Sequence, residues 1–362
     1  MARWNRLYDG ITTPVRLDSG AVLVTDAQQI RSVLKDKEHF VDESAFLRTS
    51  TFFPLPESQR FHLVKSFIEL MQPDIPHLER LLEKRFARSS NFRLQADGTW
   101  LMYHLYENRI HASQRNSRIS ELVKYYVARK TIHDDIQGGL RRLQGKSRAQ
   151  LDTKLGRILA TENPIYPDLV SVVLASKLEM PEMERSELYL RLVQSLVAFT
   201  GTALETSLYF LARNSGWKPW IRSREHAHAF VLETLRCFPT AWRLTRTVSI
   251  NHHLDTFPLI ENDELILAIS VPQVKASLWG QYPGFDPHRW MNENGTNGLY
   301  LFGLGKGSCP GKKIALTTIT QCFWRIVRSY SISVVRDRTA NPYVRSILAS
   351  PRVNLKIEPG LK

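Results

Sequence analysis

The sequence predicts a mainly α-helical chain with small β-sheets, and three observations carry that expectation. Between Pro181 and Pro219 no proline occurs, and Leu192, Val193, Leu196, Val197, Leu204, Leu208, Phe210 and Leu211 recur at the spacing of a long, largely buried helix. Short strand-like runs stand at both ends of the chain, at residues 14–17 and 21–24 and again at 330–335 and 353–357. The third is a glycine-rich stretch, Phe302-Gly303-Leu304-Gly305-Lys306-Gly307-Ser308-Cys309-Pro310-Gly311. It leads directly into a run that reads as a helix from Lys312 to Arg328.

Taken in order, residues 14–17 and 21–24 form a strand pair across a turn at Asp18-Ser19-Gly20. Asp26 then caps a helix whose apolar positions are Ile30, Val33 and Leu34. Residues 56–86 read as helix, break and helix, punctuated by Pro73 and Pro76. From about 90 to 180, helical patches such as residues 120–127 alternate with basic loops. His104, His111 and His133 have no metal-ligand spacing there and read as structural or surface residues. Residues 230–239 predict a helix stopped by Pro239, and Arg246 opens a run that alternates like an edge strand. Residues 265–269 supply a second apolar strand. His252-His253 and His226-x-His228 lack further partners at ligand spacing, so they read as solvent-exposed.

Composition narrows the functional classes. The 362 residues suffice for a core that encloses a cofactor, and they are read as a single domain over residues 1–362. No run approaches a membrane span, and the N-terminus lacks an apolar signal core, which predicts a soluble, cytoplasmic protein. Three cysteines, Cys237, Cys309 and Cys322, imply no disulfide framework. The net charge of +14 is spread among acids rather than gathered into a stripe, which argues against nucleic acid. Plain solvation and steering toward an acidic protein partner are the two remaining readings.

The glycine-rich stretch carries the chemistry. Glycines there permit positive φ and close approach of a flat group, and a cysteine at a helix start is eased toward the thiolate by orphan N–H groups. A Walker-type phosphate loop is excluded, because Gly307 and not Ser or Thr follows Lys306. A buried, inert cysteine in a turn is the plain alternative. Further along the argument, Glu233 and Arg236 are three apart on a helix among Val231, Leu232, Leu235 and Phe238, where a bidentate pair can form. Phe285-Asp286-Pro287-His288-Arg289-Trp290 lies between that pair and Cys309.

The run F-x-x-G-x-x-x-C-x-G resembles the haem-binding loop of cytochromes P450, Glu233-x-x-Arg236 resembles the family's E-x-x-R motif, and the segment ending in Arg289-Trp290 resembles its F-x-P-x-R-W segment. All three stand in family order, and the resemblance is strongest from about 230 to 316. It implies the cytochrome P450 fold and a b-type haem, with Cys309 as axial metal ligand and Phe302, Gly303, Gly305 and Gly311 shaping its loop. Glu233, Arg236 and Arg289 would form a structural network. His62, Arg246 and Arg243 are the candidates for holding the haem propionates. On the long helix the resemblance implies proton-handling residues, for which Thr200, Thr202 and Glu205 are the candidates.

The implied activity is oxygen insertion into a small organic or natural-product-type substrate. Electrons would come from a ferredoxin-type partner contacting Lys306, Lys312 and Lys313. Several positions depart from the family pattern. Ser58 and Gly307 stand where propionate-binding residues are usual. On the long helix, one register puts Thr202 at the threonine position with Gly201 in place of the acid; the other takes Glu205-Thr206, further along the helix. The first is preferred, and it has no acid. Cross-linking, desaturation or peroxide-dependent chemistry, and a non-catalytic binding module, therefore stand as alternatives. The plain reading of Thr200, Thr202 and Thr206 is hydrogen bonding to carbonyls one turn back.

Overall fold

The computed structural model describes residues 11–41, 56–131, 148–176, 181–274, 284–291, 300–305, 308–335, 343–344 and 348–360. The chain groups into two compact units: Met1–Ala45, Asn214–Lys312 and Asn341–Ser350 form the first, and Phe46–Arg213, Lys313–Ala340 and Pro351–Lys362 the second.

The chain begins in the first unit with β1 (Val15–Arg16) and β2 (Val22–Val24), joined at Gly20, whose φ of 85° is open to a residue without Cβ. Asp26 caps α1 (Ala27–Lys35) by accepting from the Gln28 and Gln29 N–H groups, and Ile30, Val33 and Leu34 face inward. After β3 (Phe40–Val41) the second unit follows. It contains α2 (Glu57–Leu70), α3 (Ile75–Arg88), β4 (Asn91–Arg93), α4 (Asp97–Ile110), α5 (Ser117–Thr131), α6 (Arg148–Ala160) and α7 (Leu169–Ala175). Pro76 sits in the first turn of α3, where its missing N–H costs nothing. The predicted long helix is α8 (Glu182–Gln194), a π turn over Ser195–Phe199, and α9 (Thr200–Arg213).

The chain then returns to the first unit with α10 (Arg224–Cys237), β5 (Leu244–Val248), β6 (His252–Leu254), β7 (Phe257–Leu259) and β8 (Glu264–Leu267). Short 3-10 turns cover Pro272–Val274 and Pro287–Trp290. The remaining elements are α11 (Lys312–Ser329), β9 (Tyr330–Val335), β10 (Tyr343–Val344), β11 (Leu348–Ala349) and β12 (Asn354–Pro359).

The five-stranded sheet of the first unit has the order β1-β2-β8-β5-β3, parallel between β2 and β8 and antiparallel elsewhere. This corrects one expectation: β5 is flanked by β8 and β3 and is not an edge strand. The pairing that overrides the sequence pattern is Phe40↔Val248, contributed by two residues from 200 positions earlier. Val22, Val24, Ile30, Leu34, Val248, Leu265 and Leu267 pack into one core beneath this sheet. In the second unit β12 pairs with both β4 and β9, as the strand-like runs at the tail predict. Leu78, Met102, Leu204, Leu208, Phe323 and Ile326 are buried there, and the Tyr106 hydroxyl meets the Thr318 hydroxyl at 2.7 Å. Among the described residues, no helix is long and apolar enough to cross a membrane.

Candidate functional site

Cys309 stands three residues ahead of α11, at the end of a loop closed by its own backbone. The Gly303 N–H donates to Tyr300 O at 2.9 Å, the Cys309 N–H to Phe302 O at 2.6 Å and the Lys312 N–H to Cys309 O at 3.2 Å. Gly303 and Gly305 have φ of 73° and 58°, which a side chain would strain. A Cβ on Gly311 would stand 3.8 Å from the Cys309 sulfur, an ordinary van der Waals contact. Cys309 is exposed, whereas Cys322 is fully buried and Cys237 partly so. Lys306 and Gly307 lie outside the described residues. Lys312 and Lys313 are exposed, with the Lys312 ammonium 5.7 Å from the Phe302 ring centre.

The electrostatics at the sulfur differ from expectation. Surrounding protein atoms raise the Cys309 thiol above its ordinary value; the N–H groups of Gly311 and Lys312 and the Lys312 charge oppose that only in part. Burial pushes Cys237 and Cys322 up to about 12, which leaves them protonated and unsuited to ligation. The donor set is thus one reachable sulfur with two backbone N–H groups aimed at it, which would suit a haem iron held through a single thiolate.

Glu233, Arg236 and Arg289 meet in the first unit. Arg236 donates through Nε and Nη2 to the two Glu233 oxygens at 2.9 and 2.7 Å, and both side chains are fully buried. Arg289 Nε lies 3.1 Å from Glu233 Oε2. Sequence reasoning missed the rest of the shell: Trp290 Nε1 and the Asp286 N–H donate to Glu233, and Arg236 reaches the carbonyls of Gln273 and Gly284. The Trp of the Arg289-Trp290 pair was the available signal; the two carbonyls leave none in a sequence.

The propionate candidates differ in placement. Arg246 is buried at 5% exposure on β5 and donates to Thr245 O at 2.7 Å. Arg243 is exposed, with its guanidinium carbon 5.2 Å from the Trp242 ring centre. His62 is exposed on α2 in the second unit, beside the exposed Phe61.

On the long helix, Thr200 donates to Leu196 O, Thr206 to Thr202 O and Ser207 to Ala203 O. Among the described residues the Thr202 hydroxyl has no such bond, although the residue is buried. Glu205 is fully buried and points at the start of α4, where its oxygens accept from the Gln95 N–H at 2.7 Å and the Gly98 N–H at 2.6 Å. Burial raises its carboxyl to about 8 against the pull of those N–H groups. Gly201 occupies the same face one turn earlier: a Cβ there would fall 2.5 Å from Thr99 N, and one on Gly98 2.6 Å from Gly201 O. The α4 and α9 backbones touch at this glycine pair. Of the two registers, the one ending in Glu205-Thr206 thus has its acid committed to a helix start.

Comparison with known proteins follows this geometry. A family model described as Cytochrome P450 matches residues 222–358. The cyclooctatin synthase of Streptomyces melanosporofaciens is 22% identical over 265 residues, covering 66% of this chain and 56% of that protein. The pentalenene oxygenase of Streptomyces avermitilis is 25% identical over 126 residues, 34% of this chain and 28% of that one. The chain thus spans little more than half the length of the first and less of the second. Among solved structures, the haem domain of cytochrome P450DA superposes with a TM-score of 0.74 at 14% identity, covering 99% of this chain and 92% of the other. A mutant of P450 EryK in complex with erythromycin B gives 0.70 at 15% identity, covering 99% and 96%. At these identities the superpositions establish the fold.

Proposed function

We propose that this chain, whose residues 222–358 match the family model described as Cytochrome P450, is a cytochrome P450 that works as one cytoplasmic haem domain over residues 1–362, an oxidoreductase that inserts oxygen into a small organic or natural-product-type substrate. The observation that carries this reading is Cys309: an exposed residue ahead of α11, with two backbone N–H groups aimed at its sulfur, in a loop where Gly303 and Gly305 take positive φ. A haem b bound there supplies the redox centre for oxygen activation. The chain's own residues position and neutralise it. Phe302, Gly303, Gly305 and Gly311 shape the thiolate side, Arg246 is the first candidate for a propionate, and Arg243 and His62 are the others. Glu233, Arg236 and Arg289 form a buried ion network in the first unit.

Proton handling falls to Thr202, whose hydroxyl is uncommitted among the described residues, with Thr200 tied back to Leu196 O. Electrons come from a ferredoxin-type partner drawn by the basic surface, Lys312 and Lys313 included. The placement of Glu205 supports a second reading, since a threonine without a neighbouring acid suits peroxide-dependent, desaturating or cross-linking chemistry.

The test is spectroscopic, then catalytic. The reduced, CO-treated protein should show the absorption of a thiolate-ligated haem, lost in Cys309→Ala and kept in Cys237→Ala and Cys322→Ala. Thiolate ligation retained in Cys309→Ala would overturn the site. Turnover with reductase and oxygen, set against peroxide alone, separates the two readings; haem loading without turnover on a broad substrate panel would leave a binding module.

A further inference from the structure

His252 finds partners that its own neighbourhood in the chain does not contain. In the first unit, Asp36, His39 and His252 each present one ligand atom, and these atoms lie within 4.8 Å of one another. The carboxylate is fixed before any ion arrives: Asp36 Oδ1 accepts from the Glu38 and His39 N–H groups at 2.9 and 3.0 Å, and Oδ2 meets His39 Nδ1 at 2.8 Å. The segment bearing His39 is tied to the strand that leads to His252, because the Ser249 N–H donates to His39 O at 2.9 Å and its hydroxyl to Glu38 O at 2.7 Å. His252 begins β6, with its ring 4.0 Å from that of His39 and edge-on to Phe40. All three ligands are half-buried, so an ion can reach them without unfolding the sheet.

We propose that Asp36, His39 and His252 form a binding site for a divalent transition ion of the zinc type. Two imidazoles and one carboxylate are a donor set that such an ion accepts, leaving a fourth position to water. Bonds of about 2.0–2.2 Å to each ligand require the donor atoms to stand about 3.5 Å apart. Side-chain rotation supplies that movement: the two rings, now 23° from parallel, splay as the ion replaces the ring-to-carboxylate hydrogen bond. The site lies on the edge of the five-stranded sheet, where β3 adds to β5, so an occupied site clasps that edge.

Calorimetric titration of the untagged, haem-loaded protein with Zn2+ tests this, with Cys309 already committed to iron. Saturable uptake of one ion is expected at this site, together with a rise in the thermal midpoint. His252→Ala and Asp36→Ala should each weaken uptake about tenfold or more, with the haem spectrum unchanged to show that the fold persists. His253→Ala, one residue along on the alternate face, should leave it intact. Absence of saturable uptake, or affinity unchanged in His252→Ala, overturns the site.

Discussion

Glu233 and Glu205 are both fully buried, yet Glu233 sits against two guanidinium groups while Glu205 meets backbone N–H groups at a helix start. Two guanidinium groups face the first carboxylate, one of them through two parallel hydrogen bonds. Peptide dipoles do not offset burial for the second, and its proton is held to about pH 8. One residue type thus serves as an ionic lock in one unit and as a neutral plug in the other, and only the neighbours decide which.

Removing the cation should break the lock with the largest effect. Arg236→Ala leaves the buried Glu233 without its bidentate partner, with Arg289 as the cation that remains, and should cost roughly 3–5 kcal/mol in denaturant unfolding, with loss of haem uptake. Arg236→Lys should recover little of it, because one ammonium cannot reach both Glu233 oxygens and the carbonyls of Gln273 and Gly284. A stable, haem-loaded Arg236→Ala protein would show that Glu233 is not held as described.

The plug should reveal itself through pH. The folded-state value of Glu205, about 8, lies above its ordinary 4.5, so its contribution to stability is fully present below pH 4.5 and is lost as pH rises through about 8. Across that window the loss should be on the order of a few kcal/mol. Glu205→Gln removes the titration and should flatten the slope of unfolding free energy against pH between 5 and 8. It also starts lower by about 1–3 kcal/mol, because a carboxamide N–H2 faces backbone donors. An unchanged slope would mean that Glu205 is ionised throughout.

The smallest change sharpens the contrast. Trp290→Phe deletes a single neutral donor to Glu233 while both guanidinium groups stay, and should cost about 1 kcal/mol in the same unfolding assay. A loss approaching that of Arg236→Ala would place the stability of the lock in its hydrogen bonds rather than in its charges.

The two glutamates were unequally legible in the sequence. Glu233 and Arg236 share one helix face, so their meeting could be read from spacing, and Arg289 joined them through the resemblance of its segment. The Cys309 loop was legible for the same reason, being local. The partners of Glu205 are amides at positions 95 and 98, more than a hundred residues away, and a backbone N–H has no letter in a sequence. His252 was read as solvent-exposed because Asp36 and His39 lie over two hundred positions earlier and arrive only when β3 pairs with β5. The strand pair at the N-terminus, the Asp26 cap and the break at Pro73 and Pro76 were all local and were read correctly. The place of β5 inside its sheet was not, because it depends on a remote two-residue partner.

The π turn at Ser195–Phe199 sets the phase of everything after it. An extra residue in one turn advances the downstream helix by about 100° relative to the upstream one. Gly201 and Glu205, one turn apart, face α4 together, and Thr202 points about 100° away from Gly201 and about 60° away from Glu205. A motif laid by simple counting across residues 195–199 lands on the wrong side of the helix. Deleting one residue there would leave the chain's composition nearly untouched, yet exchange which side chain presents itself on each face of α9.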